Sequence, residues 1–216
     1  MAQNQRDPEK FDIKVVHDKF EASLQEDDDV DLELYLESFE ELNKFFNLMG
    51  TVFGFVSKDL RQKMDYLNNL VIDNDTNQQY KTVKRMIEHE KENELLHKKG
   101  YISGSRTLLR IHRGLDFIQL FLKKIGDLEN HESTVVACRD AYEQTLAKHH
   151  SFLVKNGAKV AMYTLPTREQ LLKKVCGEEQ EIQRALTLLP KTLTATTVVF
   201  TRIETLYTLH DLHNLP

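Results

Sequence analysis

The chain has 216 residues, 40% hydrophobic and 29% charged, with a formal net charge of −5 at pH 7. These are ordinary proportions for a globular protein able to bury a sizeable core. The acidity weighs against nucleic acid, which is bound mainly by neutralising many phosphates. Cys138 and Cys176 are too few and too far apart for a disulfide framework or a Cys-based zinc site.

Helical periodicity dominates and strand alternation is scarce, so an all-α fold is expected. Phe11, Val15, Phe20 and Leu24 mark an opening helix that the acidic run Glu26-Asp27-Asp28-Asp29 ends. A second helix is expected over Leu32–Met49 and a third over 51–71. A highly charged fourth covers 79–96 and breaks at Gly100. Ser103 or Ser105 then caps a helix that carries three arginines. The next helix is expected over 132–156, stopped by Gly157, with a further segment reaching Thr164 before Pro166. Short helices over 168–175 and 179–188 precede a last one over 193–212. Its β-branched stretch 192–201 suits a strand by composition, but no partner strand is nearby. No Ser/Gly/Pro-rich linker divides the chain, so residues 1–216 are read as one domain, with 1–10 as a flexible start. No apolar run nears the roughly 20 residues that span a bilayer. The polar start Met1-Ala2-Gln3-Asn4-Gln5-Arg6-Asp7 lacks the apolar core of a signal peptide, so the cytosol is the expected compartment.

Two segments carry the functional information. In Ser57-Lys58-Asp59-Leu60-Arg61-Gln62-Lys63, successive residues turn by about 100° on a helix. Asp59 and Lys63 therefore share a side with Val52, Val56, Leu60 and Leu67, while Lys58, Arg61, Gln62 and Asp65 form a separate polar face. An exposed i,i+4 pair contributes only about 0.2–0.5 kcal/mol. A carboxylate and an ammonium desolvated beside valines need further partners, and a polar ligand would supply them.

The second segment places Arg106, Arg110, Arg113 and Phe117 on one stripe, opposite Leu108, Ile111, Leu115, Ile118 and Leu122. Residues 95–115 hold Lys98, Lys99 and these three arginines and no Asp or Glu. The stripe reads either as a solvated basic face or as an anion site. There is no glycine-rich phosphate loop, no Gly-x-Gly-x-x-Gly and no Trp in the chain. A small, singly presented phosphate fits guanidinium forks best. Catalytic patterns are missing. His89-Glu90 is followed by Asn93 where a zinc protease needs His, His149 and His150 are adjacent and diverge on a helix, and no Gly-x-Ser-x-Gly elbow occurs. No enzymatic activity, metal or cofactor is expected.

The combination of Phe53-Gly54-Phe55-Val56-Ser57-Lys58-Asp59, Arg106-Thr107-Leu108-Leu109-Arg110-Ile111-His112-Arg113, His149-His150 and Thr164-Leu165-Pro166-Thr167-Arg168-Glu169 resembles the glycolipid transfer protein superfamily. More narrowly, it resembles the branch that carries phosphosphingolipids. The likeness runs in order from Phe11-Asp12-Ile13-Lys14-Val15-Val16 to Asp211-Leu212-His213-Asn214-Leu215-Pro216. It implies a two-layer sandwich of about eight α-helices that opens to take a sphingolipid's chains. Asp59 would accept hydrogen bonds from the lipid amide and hydroxyl, His150 would bond the amide carbonyl, and Lys63, Arg106 and Arg110 would hold the phosphate. The ligand implied is ceramide-1-phosphate or a close relative. Sugar-binding members resemble this pattern but carry Asn in place of Lys63 and a sugar-stacking Trp in place of Arg110. Phosphosphingolipid carriers typically have Trp near Phe117 and Phe152, a departure expected to touch acyl-chain preference. The stretch from His89 to Arg106 is short for the family, so Lys98 or Lys99 is a candidate for one more phosphate contact. Transient contact with Golgi, plasma or other cytosol-facing membranes is also implied, with a monomer as the working unit.

A carrier must also shelter hydrocarbon. About 30 methylenes, at about 0.8 kcal/mol each, lose on the order of 24 kcal/mol in water. Phe53, Phe55, Val56, Leu60, Phe117, Leu146, Phe152 and Val160 are candidates to line an apolar pocket. Two other readings stay open: a glycosphingolipid carrier, and a helical adaptor that binds an acidic protein through the arginine stripe.

Overall fold

The computed structural model describes residues 10–50, 53–73 and 77–216. The expected flexible start lies outside them except for Lys10, as do Thr51 and Val52. Nine α-helices occur among the described residues: α1 (Ile13–Ser23), α2 (Leu32–Met49), α3 (Gly54–Ile72), α4 (Val83–Glu92), α5 (Gly104–Asp127), α6 (Thr134–Gln144), α7 (Phe152–Met162), α8 (Arg168–Cys176) and α9 (Glu179–Leu209). A 3₁₀ turn, Leu146–His149, joins α6 to α7. Only isolated bridges such as Asp31 with Thr82 represent β pairing among the described residues.

Local chemistry sets most of the helix starts. Asp12, Asp31, Thr82, Ser103, Ser133, Ser151 and Thr167 each accept a first-turn backbone N–H through the side chain, satisfying donors that have no partner within the helix. The Thr167 backbone N–H in turn donates to the Gln170 side-chain oxygen, which completes a capping box.

The helices form a two-layer sandwich around one apolar core. α2 faces α5 through Phe45 and Phe121, whose ring centroids are 6.2 Å apart. α1 lies on α2 through Phe20, Tyr35 and Phe39. α5 is central and packs against α3, α4, α6 and α9. No helix among the described residues is long and apolar enough to cross a membrane.

Several expected boundaries differ; α4, for one, spans Val83–Glu92 rather than 79–96. The helix expected over 132–156 is broken at Thr145, with φ −118° and ψ −80°, whose hydroxyl donates to the Ala141 carbonyl at 2.7 Å. α7 then starts afresh at its own cap, Ser151, and runs straight through Gly157. That glycine has a negative φ and open space around it, so nothing there stops a helix. Conversely, the two helices expected on either side of Pro190 are one. Proline removes one backbone donor and crowds the preceding turn at a cost of about 3 kcal/mol. Burial of Ile182, Leu189, Thr192, Val199 and Ile203 on both sides of it outweighs that cost. The threonines of this stretch are accommodated in the helix with their hydroxyls satisfied by carbonyls four residues back, as Thr196 donates to Thr192 at 2.8 Å.

Candidate functional site

α3 turns Ser57, Leu60, Met64 and Leu67 into the core, which places Asp59 and Lys63 on the flank of the buried stripe. The two form an ion pair in which the Lys63 side chain is 18% exposed and that of Asp59 66%. The expected desolvation of Asp59 is thus not found. The apolar side inferred from Val52, Val56, Leu60 and Leu67 is wider than the surface that α3 buries, and the carboxylate sits at its solvent edge.

α5 buries thirteen residues, including Leu108, Ile111, Leu115, Ile118 and Leu122, so the stripe of Arg106, Arg110 and Arg113 lies at the border of its packed face. Each guanidinium bonds a main-chain oxygen. Arg106 donates to Tyr101 at 3.1 Å, Arg110 to Pro216 at 3.0 Å and Arg113 to His213 at 2.7 Å. Among the described residues no acidic side chain forms an ion pair with any of the three. Arg106 thus has no acidic side-chain partner, whereas an anion at Arg110 would share the guanidinium with the Pro216 oxygen. The C-terminal contact of Arg110 and Arg113 was not legible beforehand, because nothing in the spacing of residues 110–113 and 213–216 points one to the other.

α3 and α5 meet at this end. The Tyr66 hydroxyl of α3 donates to the Ile102 carbonyl just before α5, and the Arg106 charge acts on Tyr66. Burial, with the nearby Tyr101 and Glu90, pushes the Tyr66 hydroxyl up to about 12, so it stays a donor at physiological pH.

His150 follows the 3₁₀ turn and is half-buried, its Nδ1 2.9 Å from the Tyr142 hydroxyl. Burial lowers its pKa. Asp59 opposes that shift, while Lys155 and Lys63 add to it. His150 thus belongs to the same electrostatic group as Asp59 and Lys63, although it lies far from them in sequence. Its neighbour His149 is pushed down to about 4 by burial and then by Arg113, Lys148 and His150. Lys98 and Lys99 are exposed in the turn before Gly100.

The pocket candidates divide. Phe53, Leu60 and Phe117 are buried, Phe117 being stacked on Phe121 at 5.7 Å. Val56 and Leu146 are half-buried against the core. Phe55, at the start of α3, is exposed at 53%, and Phe152 at 77% and Val160 are exposed because α7 packs mainly on α6 and leaves most of its surface to solvent. Deeper in, an apolar crevice lined by Phe11, Phe45, Leu122, Ile125, Leu171 and Leu189 measures about 30 Å³. That is about the volume of one water, so two hydrocarbon chains can enter only if the helices move apart. Phe152 and Val160, expected to line the pocket, are instead exposed on and just after α7 together with Leu153, Val154 and Tyr163, a surface not anticipated from the sequence. The run Phe152-Leu153-Val154-Lys155 beside Lys159 carried the signal of an interfacial helix.

Comparison with known proteins follows the same line. The family model described as Glycolipid transfer protein matches residues 30–177. A ceramide-1-phosphate transfer protein of Danio rerio is 35% identical over 211 residues, 95% of this chain and 98% of that protein. That of Homo sapiens is 34% identical over 212 residues, 95% and 97% of the two chains. The crystal structure of the mouse ceramide-1-phosphate transfer protein in its apo form superposes with a TM-score of 0.88 at 32% identity, covering 95% of this chain and all of the other. The human protein in complex with 2:0 ceramide-1-phosphate gives 0.85 at 33% identity, with 96% and 100% covered. A family match across most of the chain, full-length relatives and the shared helical sandwich agree: the chain belongs to the glycolipid transfer protein family.

Proposed function

We propose that this protein carries ceramide-1-phosphate between membranes, as a single-domain carrier without catalysis that works at cytosol-facing bilayers. The observation that carries the reading is the packing of α3, which holds Asp59 and Lys63, on α5, which holds Arg106 and Arg110, with His150 in the electrostatic reach of Asp59 and Lys63. A phosphate there gains charge-assisted bonds from two guanidinium groups and an ammonium. Replacing Asn and Trp of the sugar-binding pattern by Lys63 and Arg110 supports a phosphate over a sugar.

The remaining groups suit the ceramide amide. The exposed carboxylate of Asp59, already oriented by Lys63, accepts the amide N–H and a hydroxyl. Burial raises the pKa of Tyr142 and lowers that of His150, so the phenol donates to Nδ1 of a neutral imidazole. That leaves the proton on Nε2, free to donate to the amide carbonyl. The hydrocarbon chains enter the closed crevice as the layers separate, recovering the large cost of their exposure to water.

Delivery requires docking. With a net charge of −5 the protein gains little from bulk attraction to anionic lipids. The exposed Phe152, Leu153 and Val160 with Lys155 and Lys159 form a local apolar and cationic surface beside His150. On this reading α7 is the docking surface, and the cations of 98–113 are a second candidate for it.

The test is transfer of fluorescent ceramide-1-phosphate from donor to acceptor vesicles. Transfer that needs protein, with weak vesicle binding reduced by salt, is expected. Transfer at the protein-free rate for phosphorylated and glycosylated sphingolipids alike would overturn the carrier reading in favour of an adaptor for acidic proteins.

A further inference from the structure

Glu90, on the last turn of α4, is a fully buried carboxylate for which the head-group chemistry has no use. It accepts hydrogen bonds from the Ser103 hydroxyl at 2.6 Å, the Gly104 N–H at 2.6 Å and the Ser105 N–H at 2.9 Å. The hydroxyls of Tyr101 and Tyr80 approach it at 3.2 Å and 3.3 Å. Gly104, Ser105 and Arg106 are the first three residues of α5. That helix carries no acidic residue in its first turn and instead places the Arg106 cation there, against the positive end of its own dipole. Glu90 supplies the missing negative charge from another helix.

The network grips Arg106 twice. Ser103 donates its hydroxyl to Glu90 while its oxygen accepts the Arg106 backbone N–H at 3.1 Å. Tyr101 donates its phenol to Glu90 while its carbonyl accepts the Arg106 guanidinium at 3.1 Å. Each arm reaches Arg106 through one intermediary, the first at its backbone and the second at its side chain. Burial is the leading cause that raises the Tyr80 and Tyr101 pKa values, which keeps both hydroxyls as donors. Gly104 makes the close approach possible, since a Cβ there would lie 2.8 Å from the Met86 sulfur and 3.1 Å from the Tyr80 ring. The serine, the glycine and the two tyrosines thus fit one arrangement. A carboxylate on α4 alone would need none of these intermediaries.

We infer that Glu90 is the positioning residue of the phosphate clamp, holding Arg106 at the α3–α5 junction through Ser103 and Tyr101 without touching the lipid. This rests on the reading of Arg106 as a phosphate ligand. Free arginine side chains sample many rotamers, and a guanidinium held in place loses less freedom on binding.

A double-mutant cycle on the full chain separates positioning from mere support, using vesicle transfer of ceramide-1-phosphate and the thermal midpoint as readouts. Arg106→Leu is expected to lower transfer about tenfold, and Glu90→Gln about threefold to tenfold because a neutral amide cannot serve the same donors. The decisive result is that Glu90→Gln adds less than about twofold once Arg106 is already Leu. Tyr101→Phe, which removes one donor and keeps the carbonyl that Arg106 uses, is the milder second variant. It is expected to follow the same pattern at about twofold to threefold, and it decides the matter if Glu90→Gln does not fold. Losses that multiply in the double variants would overturn the positioning role while leaving the phosphate site intact. Unchanged transfer by Glu90→Gln, folded, would do the same. Unchanged transfer by Arg106→Leu would overturn the phosphate reading and the positioning role together.

Discussion

α5 and α7 are both amphipathic helices that border the proposed head-group site, yet they treat their apolar residues in opposite ways. α5 buries thirteen of its 24 residues and presents cations at the border of that face. α7 buries only Ala158, Ala161 and Met162 of its 11, and leaves Phe152 and Leu153 exposed at 77% and 81%. A helix whose apolar side is covered is held by the core. One whose apolar side faces water is held only by its caps and a narrow seam, and its composition answers to something it meets outside the fold. Substitutions should therefore change stability on one helix and membrane behaviour on the other.

The largest effect is expected on the covered face of α5. Phe121, 1% exposed and in contact with Phe45 and Phe117, should cost about 3–5 kcal/mol of stability as Phe121→Ala. Denaturant unfolding measures this. A loss below about 1 kcal/mol would mean that the core around α5 is not packed as described. On the border of the same helix, Arg110→Leu should leave the unfolding midpoint nearly unchanged and lower ceramide-1-phosphate transfer about tenfold, corresponding to roughly 1.5–3 kcal/mol for a charge-assisted bond. Asp59→Val is expected to behave likewise: the carboxylate end of its ion pair with Lys63 is 66% exposed although Lys63 is only 18% exposed, so stability should move by no more than about 1 kcal/mol while transfer of every sphingolipid is lost. Unfolding of Asp59→Val would instead identify a structural ion pair.

On α7 the balance should reverse. Leu153→Ser removes an apolar side chain that the fold does not bury, so the thermal midpoint should stay within the range of a surface change, about 0.5 kcal/mol. Sedimentation with phospholipid vesicles should show binding weakened several-fold, and transfer should fall in step. If vesicle binding is unaffected while Lys98 or Lys99 substitutions abolish it, docking belongs to the basic turn before α5 rather than to α7.

How far this contrast was legible in the sequence depends on whether the signal was local. The stripe Arg106, Arg110, Arg113 and the core positions opposite it could be read by counting turns, and Ser103 was among the two caps expected for α5. Asp59 and Lys63 were found by the same count, but how much of their side α3 buries is decided by its neighbours, not by α3. The break at Thr145 and the continuity through Pro190 were missed for a shared reason. A glycine or proline states only a local preference: burial on both sides of Pro190 overrides it along α9, while Gly157 keeps a helical backbone within α7 and the break falls instead at Thr145, before the Ser151 cap. The approach of Glu90 to the start of α5, of Arg110 to Pro216 and of Tyr142 to His150 depends on where helices end in space, which no periodicity records.

The smallest expected effect concerns acid. His149 and His150 sit where the end of α6 and the start of α7 face Arg113 and Lys63, and both are held below the ordinary histidine range, first by burial and then with nearby cations, His149 at about 4. A histidine whose folded pKa is depressed binds its proton more readily in the unfolded chain. Its contribution to stability is therefore fully present above about pH 6.5 and is lost as pH falls from there toward the folded value. His149 is largely exposed, so solvent screening keeps its share under about 1 kcal/mol, or about 2–4 °C in a chain of this size. The measurement is the thermal midpoint of the lipid-free protein between about pH 7 and pH 4.5, which avoids the lipid phosphate's own titration near pH 6. His149→Gln should flatten part of the decline while leaving the midpoint at neutral pH nearly unchanged. An identical slope in wild type and variant would assign the acid sensitivity elsewhere, to carboxylates such as Glu204, whose bond to His112 holds it below the usual carboxylate range.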